Sequence, residues 1–327
     1  MPRDITADLR RTAVSAGTQT RYATALQYFW AFCRLVNIVL GVSPEESALD
    51  EAVTTYIEWL YRENLPKFQS TLILAAVLDL FPRSRLAQTR RVVRAWDRIE
   101  PSRSAFPIHA LYLMFLLHEL LLGGNFGIDA GFEIKLQFAC CSLLLFLGLF
   151  RPAEVRTLTR ASITLGPSPQ ITVRVRGKTE VRANRPATAV TINDPFLHLL
   201  LSCLLEVRAS DAYLFSLSAQ TFTRFCKNVS AFYPMFPRII PYSFKRGGAS
   251  DLFRRTGSFD ICVDQGRWEH VNTARRYIES ALAEQMIFEL SPAWLRRMQQ
   301  ARAHLFEFAR SGGMGGRSRL FDDVLSL

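Results

Sequence analysis

Apolar residues recur at three- and four-residue intervals through most of the first hundred positions. Between Thr18 and Leu35 they fall at Tyr22, Leu26, Phe29, Phe32 and Cys33, which is one face of an amphipathic helix. Asp50 to Tyr61 reads as a second helix, with Asp50 and Glu51 at its positive end and Val53, Ile57 and Leu60 inward. Ser70 caps a third that runs through Leu80 and stops at Pro82, and Arg85 to Ile99 makes a fourth. The stretch Asp97 to His109, with Pro101, Pro107 and two serines, has the composition of a linker. Beyond it, Ile108 to Leu122 and Glu133 to Leu149 are strongly apolar helices. The period then changes: ITVRVR from Ile171 alternates, GKTEVRANRP is turn-like, and ATAVTI up to Ile192 alternates again, a hairpin signal. Helical patterns resume from Pro195, and Gly312 to Gly316 loosens a short tail whose end, Leu320 to Leu327, is amphipathic. No internal repeat is visible. The pattern predicts a mostly α protein with a small antiparallel β-hairpin or sheet, organised as residues 1–100, a linker at 101–109, a larger domain over 110–310 and a flexible Gly-rich tail at 311–327.

Composition narrows the class. The chain has 327 residues, a formal net charge of +11, 49% hydrophobic and 21% charged residues, enough apolar material for two cores. The charge points to a polyanionic partner. Its cations are 35 Arg and five Lys, the latter at positions 67, 135, 178, 227 and 245. The N-terminus alternates charges without an apolar stretch, so it is not a secretory signal. The longest apolar run, Phe138 to Phe150, is 13 residues, short of the ~20 that span a bilayer, and reads as a buried core helix. The six cysteines form no CxxC pair and lack His at ligand spacing, so neither a zinc site nor a disulfide framework is indicated, no metal or cofactor is expected, and a reducing compartment fits.

Two basic clusters stand out. In the fourth helix Arg90, Arg94 and Arg98 share one face while Leu86, Val93 and Trp96 take another. The hairpin adds Arg174, Arg176, Lys178, Arg182 and Arg185 against Glu180 alone. A solvated surface explains either one. Two clusters flanking a linker fit a pair of domains gripping one duplex through its phosphates.

Three segments carry chemistry. GLFRPAEVRTL, from Gly148, puts Arg151 at the end of a buried helix with Pro152 at the first position of the next, where its missing N–H costs nothing. An Arg fixed there, with Glu154 one turn on, presents a rigid fork to a phosphate. PYSFKRGGASDLFRR, from Pro241, opens a helix in which Gly247, Gly248 and Ala249 allow close backbone approach. DQGRWEHVNTARRYIE, from Asp264, places Trp268 before a helix and Tyr277 on it.

Together these segments resemble the tyrosine recombinase and integrase family over nearly the whole chain. The family's Gly-Leu-Arg-x-x-Glu box is matched by Gly148, Leu149, Arg151 and Glu154 with Phe150 inserted, and its hairpin lysine by Lys178. Its His-x-x-Arg box corresponds to Tyr242-x-x-Lys245, and its His or Trp nine residues before the nucleophile to Trp268 and Tyr277. The 26-residue step from Tyr242 to Trp268 is similar to that of Cre-type recombinases, and the run YSFKRGGA, GRW, RYI is similar to eukaryotic Crypton and DIRS-like elements.

The resemblance implies a two-domain, C-shaped DNA clamp made of a helical core-binding domain and a catalytic domain. It implies DNA cleavage and rejoining without a metal or cofactor. Tyr277 would form a 3′-phosphotyrosyl link, Arg151 would clamp a non-bridging oxygen, Lys178 would protonate the leaving 5′ oxygen, and Trp268 would donate its indole N–H to the phosphate. Lys suits the acid's role because its pKa can fall in a cationic site, whereas Arg cannot release its proton. It implies a homotetramer on double-stranded DNA, with 286–308 or 320–327 as candidates for a segment that is either exchanged between neighbours or folded back on its own domain, and no membrane. The compartment is the nucleus in a eukaryote and the cytoplasm otherwise.

The second box departs from the family. Lys245 cannot make the paired hydrogen bonds of a guanidinium, and Tyr242 is a poor base at neutral pH. Arg246 could take the second arginine's place if the helix began one residue later, but the step to Trp268 would shorten to 25. Two readings follow: a strand transferase of a mobile element, or a recombinase-derived binding protein whose chemistry is weakened or lost.

Overall fold

A computed structural model describes residues 14–100, 105–123, 131–167, 169–175, 187–206 and 212–314. The chain divides into two compact units, Met1–Arg103 and Ser104–Leu327.

Among its described residues the first unit contains four helices, α1 (Ala16–Leu35), α2 (Glu46–Arg62), α3 (Phe68–Leu80) and α4 (Ala87–Ile99). The apolar faces read from the sequence meet in one core, with Phe29, Ile57, Leu60, Val77 and Leu86 fully buried. Two start signals are placed differently. Helix α2 begins at Glu46, four residues before Asp50, and Asp50 works on another helix. Its carboxylate accepts the backbone N–H of Gln88 and of Thr89, both at 2.9 Å, and the Thr89 hydroxyl at 2.7 Å. It thereby caps α4 across space, and Glu46 adds a bond from the Arg85 N–H at 2.7 Å. Ser70 lies inside α3 and donates to the Lys67 carbonyl instead of capping.

The second unit is built around α6 (Phe132–Leu147), in which every residue from Leu136 to Phe146 is buried. A helix apolar on all sides belongs at the centre of a domain, not at its surface. It is preceded by α5 (Ala110–His118), which His109 caps through Nδ1 and which ends in a π-turn at Glu119–Gly123. The short α7 (Pro152–Arg156) leads into a three-stranded antiparallel sheet ordered β1 (Ile163–Leu165), β2 (Gln170–Val175), β3 (Thr188–Asn193). Ile171 pairs with Ile192 and Val173 with Val190, as the alternation requires, and β1 extends the hairpin to a sheet. Seven helices follow among the described residues: α8 (Pro195–Glu206), α9 (Ala219–Phe232), α10 (Pro241–Thr256), α11 (Phe259–Gly266), α12 (Val271–Arg275), α13 (Ser280–Phe288) and α14 (Pro292–Met314).

The expected linker is shorter than its composition suggests. Ile108 is buried, its N–H donates to the Ser243 carbonyl at 3.1 Å, and its own carbonyl lies 2.0 Å from where a Cβ on Gly247 would be. On the next position of α10, a Cβ on Gly248 would come within 1.9 Å of the Phe146 carbonyl. The two glycines therefore let two backbones touch α10 directly. At the other end, α14 runs through Gly312 and Gly313 to Met314, past the expected start of the tail. Its Met298, Ala301 and Leu305 are buried in the second unit's own core, so the segment 286–308 folds back on its own chain here. Among the described residues no helix is long and apolar enough to cross a membrane.

Candidate functional site

Helix α6 ends at Gly148, Leu149 takes a left-handed conformation (φ 49°), and Phe150 folds back over Gly148, where a Cβ would lie 2.3 Å from its ring. The inserted residue is absorbed by that reversal. Arg151 is then the N-cap of α7, with Pro152 at its first position. Glu154 accepts the Arg151 backbone N–H at 2.8 Å and its guanidinium at 2.7 Å. Burial pulls the Arg151 pKa down, but the hydrogen bond and charge of Glu154 more than offset it, so the guanidinium stays charged. About a third of the Arg151 side chain remains exposed at 34%, leaving its other N–H groups for a ligand.

Arg267 joins these residues although no sequence motif marks it. It sits in left-handed conformation (φ 54°) at the end of α11, and its side chain is only 6% exposed. Its guanidinium lies 4.6 Å from the Phe150 ring centroid and pairs with Glu154 at 2.6 Å. Glu154 thus holds two arginines at once. Burial pushes its carboxyl up, while Arg267 and then Arg151 bring it below the usual range. The only trace of this residue in the sequence is its place between Gly266 and Trp268.

Helix α10 supplies the second box. Pro241 starts it, Tyr242 is exposed, and Lys245 is fully buried. The Lys245 ammonium is 4.8 Å from the Trp268 ring centroid and 5.6 Å from that of Tyr277, with the Gly266 carbonyl at 3.5 Å. Burial, then Arg151 and Arg267, lower its pKa to about 7 against the opposing pull of Glu154. Burial and Tyr277 raise the Tyr242 phenol, with Arg151 acting in the other direction. Arg246 turns elsewhere: it forms an ion pair with Glu279 and lies 5.9 Å from the Tyr277 ring centroid.

Trp268 and Tyr277 stack at 5.0 Å with 29° between planes. Gly266 makes room, since a Cβ there would lie 2.3 Å from the indole. The buried indole N–H of Trp268 has no hydrogen-bond partner among the described residues, although such groups ordinarily find one. Tyr277 is placed in the turn after α12, not on a helix, and its backbone is tied to Ala274. Ser250 of α10 pins the same turn, accepting the Glu279 N–H at 2.9 Å.

Arg151, Glu154, Tyr242, Lys245, Trp268 and Tyr277 are therefore brought together, with Arg267 as an added member. Lys178, Arg176 and Arg182 lie outside the described residues. Arg174 is exposed on β2 and donates to the Ala161 carbonyl at 2.9 Å. Arg90, Arg94 and Arg98 are exposed on α4 of the other unit. Among the described residues no cluster of His, Cys, Asp and Glu could hold a metal ion. Cations outnumber acids at the site, a free N–H faces inward, and a phenol stands beside them. That combination suits an anionic group undergoing attack.

Among solved structures the chain is similar to a Tn1549 transposon integrase in complex with circular-intermediate DNA, with a TM-score of 0.59 and 11% identity over 83% of this chain and 94% of that one. It is also similar to XerH site-specific recombinase bound to its difH substrate, before cleavage (TM-score 0.54, 16% identity, 80% and 75% coverage) and after it (0.55, 15%, 83% and 78%). The fold is that of the tyrosine recombinases. No protein-family model and no curated protein matches the chain. Within the tyrosine-recombinase fold, the described cluster occupies the junctions of α6 with α7 and of α11 with α12, the start of α10 and the turn after α12.

Proposed function

We propose that this chain cleaves and rejoins double-stranded DNA through a 3′-phosphotyrosyl intermediate, as the site-specific recombinase or integrase of a mobile element. The observation that carries this reading is the convergence of Tyr277 with Trp268, Lys245 and Arg151 around an unpartnered indole N–H. The DNA in the XerH and Tn1549 complexes supports it. In the forward step the Tyr277 oxygen bonds to phosphorus and loses its proton, the bond from phosphorus to the 5′ oxygen breaks, and Lys178 protonates that oxygen. The phosphotyrosyl bond conserves the energy for the reverse step. Arg151 and Lys245 offset charge growing on the non-bridging oxygens, and Trp268 donates its indole N–H. Residues 1–100 act as the core-binding domain and 110–310 as the catalytic domain. Arg90, Arg94, Arg98, Arg174, Arg176 and Arg182 contact phosphates, and the working assembly is a homotetramer in a compartment that holds DNA.

The burial of Lys245 favours a second reading, a DNA-binding protein that has lost cleavage. A duplex carrying a nick separates the two, because loss of the short fragment traps the covalent intermediate. A protein–DNA adduct that disappears in Tyr277→Phe is the expected result. Salt-sensitive binding without an adduct would leave the second reading standing.

A further inference from the structure

Among the described residues, three cations of the site differ in one chemical respect: arginine keeps its proton at any physiological pH, whereas a desolvated lysine does not. Lys245 is enclosed on every side, and among the described residues no carboxylate pairs with it. The groups that face it are known from each element around it. From α7 come Arg151 and Glu154, from the end of α11 Arg267, and from the turn after α12 the Tyr277 phenol. On α10 itself, Tyr242 is exposed and Arg246 is turned to Glu279. The one acid among them, Glu154, already serves two guanidinium groups. The Lys245 ammonium thus lacks what would hold its proton: water, or an anion of its own.

An anion seated on Arg151 supplies it. We infer that Lys245 is a proton-gated anion ligand, taking up one proton as a phosphodiester or another oxyanion enters the site and releasing it as the anion leaves. This rests on the reading of the site as a phosphate receptor, and it adds a regulation that an arginine at the same position could not provide. The magnitude is sufficient. A unit negative charge about 5 Å away at an effective dielectric of about 20 favours the protonated lysine on the order of a hundredfold. The direction agrees with a free-site pKa of about 7. Below that pH the lysine is charged before the anion arrives and no proton moves. Above it the anion must bring a proton with it, so affinity falls as pH rises, by at most about tenfold per unit.

Sulfate is the suitable probe, because its own charge is constant from about pH 6 to about pH 9. The sulfate-induced rise in melting temperature, against chloride at equal ionic strength, measures its affinity. In the unaltered protein the affinity is expected to drop about tenfold or more across that range. In Lys245→Arg it should stay level, and in Lys245→Met it should be weak throughout. Parallel curves for the unaltered protein and Lys245→Arg, or a level curve in the unaltered protein, overturn the inference. If neither variant folds, calorimetry of sulfate binding to the unaltered protein in buffers of different protonation heat decides. Uptake rising from near zero to near one proton supports the gate, and zero uptake throughout overturns it. The nicked-duplex assay is separate. Proton uptake without an adduct removes strand transfer and leaves the gate, whereas an adduct without uptake removes the gate alone.

Discussion

Helices α4 and α10 both carry basic residues, and they use them in opposite ways. On α4 only Thr89, Val93 and Trp96 are buried, and Arg90, Arg94 and Arg98 stand in water. On α10 eight consecutive residues from Ser243 to Ser250 are buried, Lys245 and Arg246 among them. The reason lies in the neighbours. Gly247 and Gly248 admit the Ile108 and Phe146 backbones against α10, so the stretch from Ser243 to Ser250 leaves no face for solvent. Its cations then meet only protein groups, Glu279 for Arg246 and two aromatic faces, with no anion, for Lys245 among the described residues. Exposed arginines create a field; an enclosed lysine acquires altered chemistry. Small residues beside a cation, more than the cation itself, separate the two cases.

The sharpest way to break the contrast is to disturb the enclosed side. Arg267→Met leaves Glu154 buried with one guanidinium in place of two. Breaking a buried pair by removing one partner costs about 3–5 kcal/mol, so a urea titration should find the second unit destabilised by that order. If strand transfer occurs, adduct yield should fall further than DNA affinity, because Arg151 loses its fixed orientation.

On the exposed side the largest effect should come from the residue that aims α4, not from its arginines. Asp50→Asn weakens three hydrogen bonds at the start of α4 and should cost about 1–2 kcal/mol at neutral pH. Burial raises the Asp50 pKa, but the bonds from Thr89 and Gln88 outweigh it and bring it below the ordinary value. The contribution is therefore fully present above about pH 4 and is lost as the pH falls through the lowered value. Thermal melts should show the variant and the unaltered protein converging in acid. Convergence on the alkaline side would refute this account of the cap.

The smallest effects on stability belong to the exposed arginines. Arg90→Gln, Arg94→Gln and Arg98→Gln should each change unfolding free energy by less than about 0.5 kcal/mol. Each should lower the slope of log affinity against log salt by about one if it meets a phosphate. An unchanged slope in the triple variant would place the duplex elsewhere.

The parts of the fold that were legible in the sequence are those set by local periodicity. Phe29, Phe32 and Cys33 identify the inner face of α1, and the alternation around Val173 and Val190 fixes the β2–β3 register. The close approaches at Gly247 and Gly248 were readable too, because only a missing Cβ permits them. What escaped depends on distant partners. Asp50 looks like an N-terminal residue of its own helix, and only the folded unit brings it to residues 88 and 89. Arg267 reaches Glu154 through a left-handed backbone that nothing in an arginine announces. Tyr277 has helical spacing from its neighbours, yet α12 stops at Arg275 and leaves it in a turn.

The contact between Ile108 and Gly247 has a consequence for how the molecule is made. The two residues are 139 positions apart, and their backbones must meet before α10 can seat. Contacts of such separation form slowly, since the chain's loop entropy is lost before they stabilise anything. During synthesis the segment leading into α5 therefore waits, with Ile108 uncovered, until the chain has been made through α10. An incomplete chain holds Arg151 without Lys245 or Tyr277, so the cluster comes into being only with the last stages of folding.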